Sequence, residues 1–275
     1  MKHIPFAALF ALIFAHLFVL SPVAAQAQIE GLISAEIVQG GRDVDGKPMA
    51  AIVLTLQQGW KTYWRSPGDG GGIPPEIDWT GSRNLAGADM IWPTPIVWGD
   101  VGMTNIGYQD RLILPLALLP IDPAQPLAVQ ATISFGICKD ICIPAFAMLS
   151  ADVSGNMPAE VIITQALAKV PQSAVALGAG DVFCTFAPIK DGVRVTAHFS
   201  MPPLAQNAAE TVVFEHRDRS IWASGTQVTR NGDHVTAVAD LVPPTAKPFD
   251  LNGNDLRLTI LADGRAAELV GCPLD

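Results

Sequence analysis

Short apolar runs, rather than helical stripes, dominate the chain from Ile29 to about Val153. Ala50–Leu56 is apolar and partly β-branched, and Arg111–Leu118 is a second such run. Leu127–Phe135 alternates small or polar residues with large apolar ones, the period of a strand with one buried face. Between the first two runs, Ser66–Pro75 is so rich in glycine and proline that it predicts only loop. After a break at Ser154–Pro158, the stretch Pro158–Val170 has a helical pattern. Pro158 suits a first helical position, Ile162, Leu167 and Val170 can share a face, and Pro171 stops the run. This reads as a linker helix, free to pack on either neighbour. Past Gly178-Ala179-Gly180 the strand pattern resumes in three hairpins. Their turns are centred on Lys190-Asp191-Gly192, Asn231-Gly232 and Asp263-Gly264. Many short strands joined by turns predict an all-β protein. The expected layout is an immunoglobulin-like sandwich, then the linker helix, then a second, smaller sandwich.

The start of the chain has a different character. Met1-Lys2-His3 leads into an apolar stretch from Ile4 to Leu20, and Ala25-Gln26-Ala27 follows. A short positive start, an apolar core and an Ala-x-Ala ending predict a cleavable signal peptide over residues 1–27, and hence export. A retained anchor is the alternative, but the apolar run is short for one and no basic cluster follows. The remainder divides into 28–153, a linker with helix over 154–180, and 181–275. No later stretch is apolar enough to span a membrane, so no span is expected after cleavage. The chain has 17 Lys+Arg and 26 Asp+Glu, and residues 1–27 hold only Lys2 of these, leaving 16 − 26 = −10 for the rest. That balance argues against nucleic acid as a partner, because phosphate contacts need a basic face.

Four cysteines lie beyond the signal: Cys138, Cys142, Cys184 and Cys272. In an exported chain an even count predicts disulfides. On one straight strand, positions four apart are about 13 Å distant, too far to bridge. Across a hairpin with the loop Lys139-Asp140-Ile141, Cys138 and Cys142 would face each other; a helical i, i+4 pair could also bridge, but the β-rich setting and Pro144 favour the hairpin. Closing so short a loop is worth about 2 kcal/mol, whereas Cys184–Cys272 would close 89 residues (272 − 184 + 1) and be worth about 4.6 kcal/mol. Cys184–Cys272 is therefore the expected structural disulfide. Cys138–Cys142 is a poor staple and an accessible, reducible bond, with Lys139 placed to favour a thiolate. Spacing alone leaves a redox pair and a plain hairpin staple equally open. A metal site is disfavoured, because His198, His216 and His234 are scattered. No cofactor is expected. The glycines after Asp69 lack a Gly-Lys-Ser/Thr ending, and Glu76, Asp78, Asp89, Asp100 and Asp110 read as solvated acids. Trp60, Trp64, Trp79, Trp92 and Trp98 crowd the first half, read mainly as core and loop cover.

Three stretches carry a family resemblance. Gly59-Trp60-Lys61-Thr62-Tyr63-Trp64-Arg65, Gly107-Tyr108-Gln109-Asp110-Arg111-Leu112-Ile113-Leu114-Pro115 and Cys138–Pro144 fall in order. Together they resemble the N-terminal periplasmic domain of the DsbD/ScsB-type thiol–disulfide interchange proteins, over about Ile29 to Val153. The spacing of the two cysteines is shorter here than in the best-known members. The resemblance implies a periplasmic redox disulfide that exchanges electrons with a membrane-embedded thiol reductase and with periplasmic thioredoxin-like proteins. It implies that Cys142 is the attacked and attacking sulfur and Cys138 the resolving one. Tyr63 and Trp60 are expected near the pair, with Trp98, in the segment Val97–Met103, as the cap residue. The sequence as given carries no transmembrane carrier and no thioredoxin-like domain, so separate proteins are expected to supply and accept the electrons. A competing reading is a non-enzymatic, exported two-domain binding module in which both disulfides are structural.

Overall fold

The structure, a computed structural model, describes residues 29–100, 103–154 and 160–274. The expected signal peptide, Pro158, and Val101 and Gly102 of the expected cap segment lie outside the described residues. The first half contains β1 (Leu32–Arg42), β2 (Pro48–Leu56), β3 (Lys61–Tyr63), β4 (Glu76–Asp78), β5 (Leu85–Met90), β6 (Ile96–Asp100), β7 (Met103–Gln109), β8 (Arg111–Pro120), β9 (Leu127–Cys138) and β10 (Cys142–Val153). Two sheets form, β1-β2-β8-β5 and β10-β9-β3-β7-β6, with β4 pairing β9. Along β9 the odd positions Val129, Ala131, Ile133, Phe135 and Ile137 are buried. They meet Ile52, Leu54, Leu114 and Leu116 of the other sheet in one core. The expected apolar runs are thus β2, β8 and β9, and Ser66–Pro75 is a loop.

The helix α1 (Val161–Leu167) is shorter than the sequence pattern suggests, and it buries Ile163 and Ala166. The expected face of Ile162, Leu167 and Val170 is therefore corrected: those three are only partly buried. α1 packs on the first sandwich, where Gly40 leaves room for Ile163 against Met49. This explains why β2 is buried on both faces. Among the described residues no helix is long and apolar enough to cross a membrane.

The second half contains β11 (Gln172–Ser173), β12 (Val182–Pro188), β13 (Val193–Ser200), β14 (Thr211–His216), β15 (Trp222–Ala223), β16 (Gln227–Asn231), β17 (His234–Val242), β18 (Leu256–Ala262) and β19 (Arg265–Val270). The sheets are β11-β19-β18-β14 and β12-β13-β17-β15, with β16 pairing β17. Between them lies a core of Val195, Ala197, Phe199, Phe214, Leu258 and Ile260. The turn at Asp263-Gly264 has positive φ at both residues, as a two-residue hairpin turn requires. The neighbouring hairpin pairs Asn231 with His234, so its turn is Gly232-Asp233, one residue later than the sequence suggests. A disulfide joins Cys184 of β12 to Cys272, just past β19. Both cysteines are fully buried, and the bridge ties one sheet of this sandwich to the other.

Candidate functional site: the cysteine hairpin

β9 ends at Cys138 and β10 begins at Cys142. The two residues are directly opposed, their Cα atoms 4.2 Å apart, and they form a disulfide. The exposed loop 139–141 joins them. Odd positions of β9 face the core, so Cys138, at an even position, lies on the outward face of the sheet. The two sulfurs nevertheless differ in access. Cys138 is also paired with Lys61 of β3, and it is only 7% exposed. Cys142 starts the edge strand and is exposed.

Tyr63 supplies the cover. Strand alternation puts it on the same face as Lys61 and hence Cys138. Its hydroxyl lies 3.1 Å from the Cys142 Sγ and 3.1 Å from the Cys138 Sγ. With both sulfurs in a disulfide, the phenol O–H is the donor to either one. Burial pushes the Tyr63 phenol above its ordinary pKa, which keeps this proton in place at neutral pH. The ring has room because Gly72 lacks a Cβ, which would overlap it, and Gly136 also lies close to it. Backbone bonds pin the covering loop, with Gly136 N donating to Ile73 O at 2.9 Å, Gly70 N to Thr104 O at 3.0 Å and Ile106 N to Pro67 O at 2.9 Å. The Asp69 carboxylate accepts from Thr104 N at 2.8 Å. The glycine run is therefore a close-fitting lid on Tyr63, a role the sequence reading did not assign to it.

Trp98 forms the outer layer. Its ring centroid is 5.8 Å from that of Tyr63, and the Lys61 ammonium lies 5.7 Å from the Trp98 ring centroid. Trp60 faces the other way. It is buried in the core, where its ring fills the space that a Cβ at Gly31 would need. It supports the site through its backbone, its carbonyl accepting from Asp110 N at 2.8 Å. Thr62, also buried, donates its hydroxyl to Gly136 O at 2.9 Å and holds β3 against β9. Asp110 sits at a positive φ and its carboxylate accepts from Gly59 N at 2.6 Å, fixing the turn that launches β3. Of the two cysteines Cys142 is the exposed residue and Cys138 the shielded one, and one hydroxyl lies within hydrogen-bonding distance of both sulfurs.

Residues 36–153 match the family described as thiol:disulfide interchange protein DsbD, N-terminal. No curated protein matches the chain. Among solved structures the chain is similar to the N-terminal periplasmic domain of ScsB from Proteus mirabilis, with a TM-score of 0.63 and 23% identity. That match covers 88% of this chain and 92% of the other, so the shared fold extends over both sandwiches. The part of the chain that carries the cysteine hairpin is thus similar to the N-terminal domain of the DsbD thiol:disulfide interchange proteins.

Proposed function

We propose that this is an exported thiol–disulfide exchange protein. It relays electrons through Cys138–Cys142 between a membrane-embedded thiol reductase and periplasmic thioredoxin-like proteins. The observation that carries the reading is the asymmetry of the pair: an exposed Cys142, a shielded Cys138, and one hydroxyl within reach of both sulfurs. The pattern at the start of the chain supports a periplasmic location, as does the periplasmic origin of the similar ScsB domain. Residues 28–153 are then the redox domain, 154–180 the linker, and 181–275 a second domain stapled by Cys184–Cys272.

In the reductive half-reaction a donor thiolate attacks the Cys142 Sγ. A donor–Cys142 disulfide forms and the Cys138–Cys142 bond breaks. Its electron pair stays on the Cys138 Sγ, stabilised by the Tyr63 O–H. The donor's second thiolate then attacks the mixed disulfide and releases Cys142 as a thiolate. Two electrons enter the pair, the donor becomes a disulfide, and the two new thiolates take up the protons the donor thiols gave to solvent. Run in reverse, Cys142 attacks an oxidised acceptor and Cys138 resolves the intermediate.

The test is the equilibrium of the pair with a thiol redox buffer, together with trapping. A potential in the catalytic range is expected, and a Cys138→Ala variant should accumulate a mixed disulfide through Cys142. A potential below about −300 mV, typical of structural bridges, with no trapped partner overturns the reading in favour of a binding module with two structural disulfides.

A further inference from the structure

The outward face of the β9–β10 hairpin changes character along its length. At even positions β9 carries Gln130, Thr132 and Ser134, and the adjoining β4 carries Glu76 and Asp78. These are the polar residues expected where one face of an antiparallel sheet meets water. β10 departs from this rule only next to the disulfide. Its even positions run Cys142, Pro144, Phe146 and Met148 before turning polar at Ser150 and Asp152. Phe146 is 66% exposed and Met148 is 83% exposed. The inward positions between them are the small Ala145 and Ala147.

Sequence pattern alone would bury the large residues and expose the alanines. A slip of one residue would do that. Pairing of Cys142 with Cys138 holds the register that turns Phe146 and Met148 outward. The apolar row also lies on an edge strand, where exposed apolar residues invite unwanted association. Lys61 pairs with Cys138 and Tyr63 reaches both sulfurs from the β3 side, with Trp98 against Tyr63; on the other side of Cys142, β10 is the edge strand of the sheet. At about 3.4 Å per residue, Phe146 is about 14 Å and Met148 about 20 Å from Cys142. A standard protein–protein footprint, about 800 Å² per partner, has a radius of about 16 Å if circular, so one centred on Cys142 takes in Phe146, and one elongated along β10 also takes in Met148.

We infer that Pro144, Phe146 and Met148 are the docking strip for the thiol partner of Cys142. That partner is a protein presenting its reactive cysteine within an apolar surface. The inference rests on Cys138–Cys142 being exchange-active. It specifies where the partner's surface lies while its sulfur is joined to Cys142. Met148, unbranched and polarisable, suits a surface that must fit both a donor and an acceptor. Phe146 supplies the larger anchor.

The test compares a protein thiol with a small one. Oxidised protein is mixed with reduced thioredoxin or with dithiothreitol, and reduction of Cys138–Cys142 is followed in time. The wild-type chain is expected to react faster with thioredoxin. In Phe146→Thr/Met148→Thr the thioredoxin rate should fall about tenfold or more, while the dithiothreitol rate is unchanged. Threonine keeps strand propensity at both exposed sites, and the unchanged dithiothreitol rate shows the hairpin intact. Equal losses with both reductants, an undiminished thioredoxin rate, or a wild-type thioredoxin rate no greater than that of dithiothreitol each overturns the docking strip. A pair inert to dithiothreitol in the wild-type chain overturns the exchange reading itself.

Discussion

Within residues 59–65, successive side chains have separate duties. Lys61 lies against Trp98, Thr62 binds across to β9, Tyr63 reaches the sulfurs, and Arg65 leaves the domain altogether. Tyr63 gives the sharpest predictions. Tyr63→Phe keeps the ring between Gly72 and Gly136 and removes only the proton donor. A neutral hydrogen bond is worth about 0.5–1.5 kcal/mol, so dithiothreitol should reduce the variant's disulfide up to about tenfold more slowly, with little change in unfolding midpoint. An unchanged rate would reduce Tyr63 to a spacer. The phenols also set a limit at high pH. The chain has two tyrosines. Burial raises the Tyr63 pKa, and burial, only partly offset by the Arg65 charge, raises that of Tyr108 well above its ordinary value. Tyr108 spends its proton on Pro93 O at 2.8 Å. Folded pKa values above the unfolded ones mean that this stability is full below about pH 10 and is lost as pH rises beyond it. At pH 10 phenolate absorbance should therefore be lower in the folded chain than in the urea-unfolded one. Equal phenolate absorbance in the folded and unfolded chains at pH 10 would contradict the burial of the phenols.

At the scale of elements, the two disulfides are unlike devices. Cys138–Cys142 closes a hairpin already held by β9–β10 pairing, whereas Cys184–Cys272 ties two sheets together across a sequence separation of 88 residues. Replacing the first pair with alanines should cost no more than about 2 kcal/mol, and replacing the second about 4–5 kcal/mol, in urea unfolding. Comparable losses would make the hairpin disulfide a staple. The sequence revealed these pairings because a short loop has few geometries and because chain entropy ranks them. Other elements were less legible. The pattern of α1 pointed to Ile162, Leu167 and Val170, but packing over Gly40 selects Ile163 and Ala166. β5, β6 and β7 carry residues such as Gly87, Asp89, Gly99 and Asn105, which obscure a strand period; pairing with β8 and β3 makes them strands. In β10 the alternation is clear, but which face is inward depends on the register with β9, and the large residues are the misleading ones. Tyr63 was picked out by family likeness, whereas Gly72, which shapes its pocket, looked like any loop glycine.

For the whole molecule, the question is how the second sandwich bears on the first. Val213, Leu261 and Ala266 of the second half join the first core, and Arg65 crosses the same boundary. Its guanidinium binds the Glu215 carboxylate at 2.8 and 2.9 Å and Glu268 at 2.5 Å, while stacking 4.3 Å from the Trp64 ring centroid. Side-chain exposures of 12%, 15% and 22% for Arg65, Glu215 and Glu268 place the triad far from the weak surface-pair regime. Burial on its own would lower the Arg65 pKa, but the hydrogen bonds and charges of Glu215 and Glu268 outweigh it and hold the pKa above its ordinary value. Partners 150 and 203 positions away cannot be read from spacing, so the triad was invisible in the sequence. Its contribution is separable by experiment. Arg65→Ala leaves two largely buried carboxylates without a counter-charge and should cost about 3 kcal/mol in urea unfolding. If that loss comes from uncompensated charge, Arg65→Ala/Glu215→Gln/Glu268→Gln should recover more than half of it. Arg65→Lys should fall between, since an ammonium cannot reproduce the forked contact with Glu215. Equal losses in the single and triple variants would instead assign the effect to packing on Trp64, and the second sandwich would then be held to the first by its apolar seam alone.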